Sequence, residues 1–162
     1  MDRPRISIIM GSQSDLETVK EAIDLLKEFK VSFEVKVLSA HRSPRELAKY
    51  VEEAPQRGIK IFIAAAAGAA ALSGVIAAHT TLPVIGIPIE TKSLKGLDSL
   101  LSTVQMPAGV PVACMSVGKA GSKNAAMFAL EILGITDKKI NSKLNAYKNK
   151  MRLKIKNTKI KL

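Results

Sequence analysis

The stretch IFIAAAAGAAALSGVIAA, residues 61–78, runs for 18 residues without a charge. It admits three readings: a membrane span, an alanine helix, or a strand that feeds a loop of small residues. A span needs about 20 strongly apolar residues, whereas much of this run is alanine, broken by Gly68, Ser73 and Gly74. The same breaks weaken one continuous helix, because glycine costs ~1 kcal/mol relative to alanine in a helix interior. The run opens on β-branched and aromatic residues, as a strand does. Strand, small-residue loop, then helix is the reading that fits.

The flanking sequence repeats that unit. ISIIM (6–10) is an apolar run ended by GSQSD, a buried strand and a turn. From Ser14 onward Leu16, Val19, Ile23, Leu26 and Phe29 recur at three and four, which is a helix face. FEVKVL (33–38) alternates at strand period. Ser43 is the expected N-cap of the next helix, with Pro44 at its first position and Leu47, Tyr50, Val51 and Ala54 on its stripe. Gly58 stands where a helix end wants positive φ. Further strands are expected at 59–64, 82–89 and 111–117. Helices are expected at about 73–80, 96–104 and 122–133, the last closed by Gly134. Strand and helix alternate without repeats or a linker. That is the pattern of a doubly wound α/β domain, a parallel sheet covered on both faces.

A chain of 162 residues with 47% hydrophobic and 24% charged residues suits one soluble globular domain. Its net charge of +11 is a local feature. From Lys138 onward there are 10 Lys and Arg and no acid, which leaves 15 bases against 14 acids in residues 1–137. The division expected is an α/β domain over 1–135 and a basic C-terminal helix over 136–162. Ile140, Leu144, Tyr147, Met151 and Ile155 form one stripe on that helix, for packing on its own or a neighbouring subunit. Nucleic acid and membrane are therefore not the expected partners. Cys114 is the single cysteine, so the chain can form no internal disulfide, and a buried structural thiol is expected. With MDRPRIS at the start in place of an apolar signal segment, a reducing, cytoplasmic setting is expected.

In an open parallel sheet ligands bind beyond the carboxyl ends of the strands. Here the loops at those ends are GSQSD (11–15), SAHRSP (39–44) and AAAAGAAALSG (64–74). The first offers a helix N-terminus and hydroxyls to a phosphate, with Asp15 as acceptor for sugar hydroxyls. Simple capping by Ser14 or Asp15 is the alternative. The second sets His41, able to move a proton near neutrality, beside Arg42, able to fork onto phosphate. The third brings backbone rather than side chains to a flat ligand, and an alanine-walled pocket can hold a small neutral molecule away from water. His79, inside the following helix, reads as packing or surface. Neither GSQSD nor VGKAGS (117–122) matches a dinucleotide or Walker A fingerprint.

Those three loops, with GLDSLLSTVQMPAGVPVA (96–113) and GKAGSKNAA (118–126), resemble the class I carboxyaminoimidazole ribonucleotide mutases of purine biosynthesis, the PurE family, over residues 5–150. The resemblance implies a three-layer flavodoxin-like domain, an octamer with sites between subunits, and neither metal nor organic cofactor. It implies transfer of a carboxylate from the exocyclic nitrogen (N5) to ring carbon C4 of an aminoimidazole ribonucleotide. His41 is the implied acid and base. The implied substrate-binding set is Gly11, Ser12, Asp15, Ser39, Ala40, Arg42, Ala66, Gly68, Ala69 and Leu72, with Ser12, Asp15, Ser39 and Arg42 on the ribose and phosphate. Where the family reads A-G-A-G-G-A-A-H-L-P-G, this chain has alanine for glycine at 65 and 67, Ala71 for a second histidine and Ser73 for proline. Alanine at a positive-φ site costs on the order of 1 kcal/mol. Three other readings stay open: a carboxylase using free CO2, a nucleotide-binding protein whose catalysis is weakened or lost with that histidine, and a basic-tailed interaction protein.

Overall fold

The computed structural model describes residues 3–160. Five parallel strands, β1 (Ile6–Met10), β2 (Phe33–Val37), β3 (Ile61–Ala66), β4 (Val84–Pro88) and β5 (Ala113–Cys114), form one sheet in the order β2-β1-β3-β4-β5. Seven helices accompany them: α1 (Leu16–Phe29), α2 (Pro44–Glu52), α3 (Ala54–Arg57), α4 (Leu72–Ala78), α5 (Leu97–Val104), α6 (Gly118–Gly134) and α7 (Lys138–Lys156). This is the expected three-layer, doubly wound, flavodoxin-like domain.

The central strands are apolar along their length because helices cover both faces. Ile6, Ile8, Ile61, Ile63, Ile85 and Ile87 meet α1, α6 and α7 on one side. Ile9, Phe62 and Ala64 meet α2, α3 and α4 on the other. Ser7 is the polar residue in β1, fully buried. Its hydroxyl lies 2.7 Å from that of Tyr50, which donates to Glu34, while Arg57 stacks 4.2 Å from the Tyr50 ring centroid. Burial and the Glu34 carboxylate push the Tyr50 phenol up to about 12, so it stays a donor at neutral pH.

Several boundaries differ from the sequence reading. β3 lies two residues later than expected, since Ala65 and Ala66 pair with Ile87 and Pro88 despite alanine's weak strand preference. β5 is only two residues long, beginning two residues after Pro111, which has no N–H to give to a ladder. α6 begins at Gly118, four residues before the expected start, and Gly134 falls inside it. The Ser43 side chain makes no cap bond to α2. His79 lies just past α4, and Cys114 is part-buried rather than buried.

α7 is capped by Asp137, whose carboxylate accepts from the Lys139 and Ile140 N–H groups and pairs with Arg5 at 2.8 Å. Ile140 and Leu144 are buried, Tyr147 packs 5.7 Å from Phe29, and Lys143 donates to the Phe29 carbonyl at 2.6 Å. The same stripe then outruns the domain, leaving Met151 46% and Ile155 77% exposed.

The start of α6 sets the closest backbone approach. A Cβ on Gly121 would lie 1.6 Å from the Ser116 carbonyl oxygen, so only glycine fits. Gly121→Ala should therefore lower unfolding free energy by about 2–4 kcal/mol, measured by urea denaturation. A loss within experimental error would show that the Ser116 turn relaxes freely.

Candidate active site

β1 lies between β2 and β3, and its pairing continues beyond the strands. Gly11 N–H donates to Ala65 O at 3.2 Å and Leu38 N–H to Met10 O at 2.9 Å. The three loops after these strands are thereby set side by side at the carboxyl edge.

In the first loop a single 3₁₀ turn, Gln13–Asp15, precedes α1. Ser12 caps it, its hydroxyl accepting from Ser14 N–H at 3.4 Å with the Ser14 hydroxyl 3.0 Å away. Asp15 makes no cap bond and is only 5% exposed. Burial pushes its carboxyl above the ordinary 3.8, partly offset by the Ser14 hydroxyl, the Ser12 backbone and the Arg42 charge.

The second loop is closed on itself. Ser43 Oγ accepts from Ser39 N–H at 2.9 Å and donates to Ser39 O at 3.1 Å, which is why it does not cap α2. Ser39 Oγ accepts from Arg42 N–H and Nε at 3.2 and 3.3 Å. Arg42 then reaches over to donate to Gly11 O at 2.7 Å, tying the second loop to the first. His41 is exposed, and among the described residues none holds its ring by a hydrogen bond.

The third loop spans 67–71. Gly68 alone in it takes positive φ, at 67°, so Ala65 and Ala67 stand in place of the resembled family's glycines without left-handed strain. Gly68 is fixed from outside the loop. Its N–H donates to Ser99 Oγ of α5 at 2.9 Å, and its carbonyl lies 3.2 Å from Ser102 Oγ.

The loops surround a cavity of about 290 Å³. Of the eleven residues expected at the site, all but Gly68 line it, joined by Ser14, Ala67 and Ala71. In the single chain it is open to water, with Ala67, Ala69, His41 and Arg42 exposed. A larger cavity of about 510 Å³ lies at the opposite edge of the sheet, by Glu52 and Thr80. His79 sits there, 3.0 Å from Glu52 Oε1, and so is no substitute for a histidine at position 71. Ser14 lines the cavity with the hydroxyl that the sequence reading offered to a phosphate, whereas sequence reasoning missed the clamp from α5. The hydroxyls of α5, Ser99, Ser102 and Thr103, share that helix with Asp98, and nothing in their spacing marks a loop anchor.

Comparison with known proteins decides the family. A family model described as AIR carboxylase matches residues 5–154. The chain belongs to the AIR carboxylase family. Within it, the N5-carboxyaminoimidazole ribonucleotide mutase of Pyrococcus abyssi is 55% identical over 149 residues, 92% of this chain and 84% of the relative. That of Saccharolobus solfataricus is 48% identical over 157 residues, covering 97% and 98%. The crystal structure of Treponema denticola PurE superposes with a TM-score of 0.85 at 28% identity, covering 94% of each chain.

The raised Asp15 carboxyl has a consequence for stability. Between 3.8 and its folded value the native state binds more protons than the unfolded chain, so stability falls as pH rises through that window. Above it, ionised Asp15 subtracts a constant amount. Asp15→Asn should thus raise the melting temperature at about pH 7 but not near pH 3, while weakening binding of ribose 5-phosphate. An equal or lower melting temperature at neutral pH would contradict this.

Proposed function

We propose that this chain is an N5-carboxyaminoimidazole ribonucleotide mutase of purine biosynthesis, an isomerase that moves a carboxylate from N5 to C4 of the aminoimidazole ring. The observation that carries the reading is the meeting in one cavity of a serine-lined turn, the His41–Arg42 pair and an alanine loop, in a chain about half identical to proteins bearing that name.

The ribose and its phosphate sit against Ser12, Asp15, Ser39 and Arg42. Arg42 supplies the fork and charge for phosphate, and Asp15 accepts from ribose hydroxyls. The imidazole then faces the backbone of Ala66 to Leu72. Protonated His41 gives its proton to N5 as the N5–carboxylate bond breaks, with the bonding pair returning to nitrogen and CO2 leaving. The ring carbon C4 attacks the CO2, and neutral His41 removes the C4 proton. One proton thus shuttles on one imidazole. An unheld ring suits that task, since it must reach N5 and C4 in turn.

The CO2 must not escape between the two steps, yet the cavity of one chain is open. Closure by a neighbouring copy in an octamer answers this. Supporting it, Leu97, Leu101 and Val104 line one side of α5 at 54, 49 and 48% exposure, an apolar stripe that the described residues leave half open to water. The protruding half of α7, with Met151 and Ile155, offers a second apolar surface for a neighbour. Among the described residues no helix is long and apolar enough to cross a membrane. A cytoplasmic enzyme fits the free thiol at Cys114. Relatives named as mutases at 48–55% identity favour the mutase over a carboxylase fed by free CO2.

With N5-carboxyaminoimidazole ribonucleotide as substrate, wild type should form the C4 product. His41→Asn should lower kcat about a thousandfold with little change in KM. Ala71→His should leave kcat within about twofold, because His41 already supplies the only proton required. An inactive wild type revived by Ala71→His would instead make this a binding protein that has lost its chemistry. Light scattering should give eight times the 17.4 kDa of one chain, and a monomer that is fully active would refute the closure argument.

A further inference from the structure

The third loop is the only wall of the cavity with no polar side chain, so its position must be imposed from elsewhere. Gly68 is its pivot. It lies between Ala67 and Ala69, which line the cavity, yet does not line it itself. A Cβ there would meet nothing within 4 Å, so the glycine is present for its φ of 67° and not for space.

Ser99 holds that pivot. It is fully buried on the inner side of α5. Its single hydroxyl proton goes to Ile89 O at 2.7 Å, and its oxygen accepts from Gly68 N–H at 2.9 Å. Ile89 N–H in turn donates to Ala66 O at 2.9 Å, closing a ring of bonds between the end of β4 and the start of the loop. Ser102, one turn along, has one hydroxyl proton between two carbonyls, Asp98 O at 2.7 Å and Gly68 O at 3.2 Å, so it adds a second, weaker hold on the same residue. α5 itself cannot drift, because it packs on the bare backbone of Gly86, where a Cβ would meet Thr103 Cγ2 at 2.4 Å.

We propose that Ser99, assisted by Ser102, is a positioning residue for the mutase reaction: it fixes the alanine loop at the distance where the freed CO2 stays over C4. This rests on the mutase reading above. The first two loops, which take the ribose and phosphate, make none of these bonds. Loss of the clamp should therefore separate the two ends of the site. A displacement of about 1 Å at the reacting end is enough for losses of tenfold to a hundredfold.

The test compares Ser99→Ala, Ser102→Ala and Ser102→Thr with wild type. Steady-state turnover, inhibition by ribose 5-phosphate, and hydrogen exchange of the peptide containing residues 67–71 are measured for each. Ser99→Ala should lower kcat about tenfold or more while the inhibition constant for ribose 5-phosphate stays within about twofold. Exchange in the loop should quicken about tenfold without change in β1. Ser102→Ala should show a smaller loss of about threefold, and Ser102→Thr, which keeps the hydroxyl, should restore it. Turnover and loop exchange unchanged in Ser99→Ala would overturn the proposal, as would a parallel loss of ribose 5-phosphate inhibition, which marks general damage. Should Ser99→Ala fail to fold, the exposed Ser102 pair decides by the same criteria. An inactive wild type would sink the mutase reading, and the exchange data would still decide the clamp.

Discussion

β1 is paired in parallel on both sides, and the rest of the site depends on that pairing. Met10 stands opposite Val37 of β2 and Ala65 of β3. Gly11 and Leu38 therefore leave the sheet abreast, with Ala67 following one residue later, and three loops that are distant in sequence share one rim. Such a strand must be apolar on both faces. Ser7 is the exception, and its burial is made tolerable by the Tyr50 and Glu34 chain of hydrogen bonds behind it. The carboxyl edge is rigid because the sheet below it is packed on both sides.

On that rim the two ends of the site are built differently. The end proposed for the phosphate is held by side chains: Arg42 bonds Gly11 O and Ser39 Oγ, and Ser14 and Arg42 oppose the rise that burial imposes on the Asp15 carboxyl. The end proposed for the reacting ring is held by backbone, with alanine as its lining and the hydroxyls of α5 as its anchor. Small side chains give a ligand close access but have nothing with which to fix themselves. The clamp from a neighbouring helix follows from that. A buried carboxylate that lowers stability in the free protein is of the kind found where binding rather than folding is served.

Much of this was legible in the sequence. The alternation of apolar runs and helical stripes gave strand order, and strand order placed Ser12, His41, Arg42 and Ala66 on one edge before any motif was invoked. The small details were less so. Ala65 and Ala66 did not read as strand, because pairing with β1 and β4 and not alanine's own preference makes them one. Ser43 read as a cap, but the nearby Ser39 backbone competes for its hydroxyl more effectively than α2 does. Ser99 was invisible as a loop anchor, since its partner Gly68 is 31 residues away and a buried serine in a helix carries no local mark. The question of alanine for glycine at 67 also needed coordinates, because φ cannot be read from composition.

The most direct measurement follows the carboxylate itself. Substrate carrying ¹³C only in its N5-carboxylate would be turned over in buffer containing excess unlabelled bicarbonate, and the C4-carboxylate of the product analysed by mass spectrometry. Transfer inside a closed alanine-walled site predicts that the product retains the ¹³C. Product in which the label has been diluted to the level of the bicarbonate pool would show that CO2 escapes to solvent, and would contradict the account.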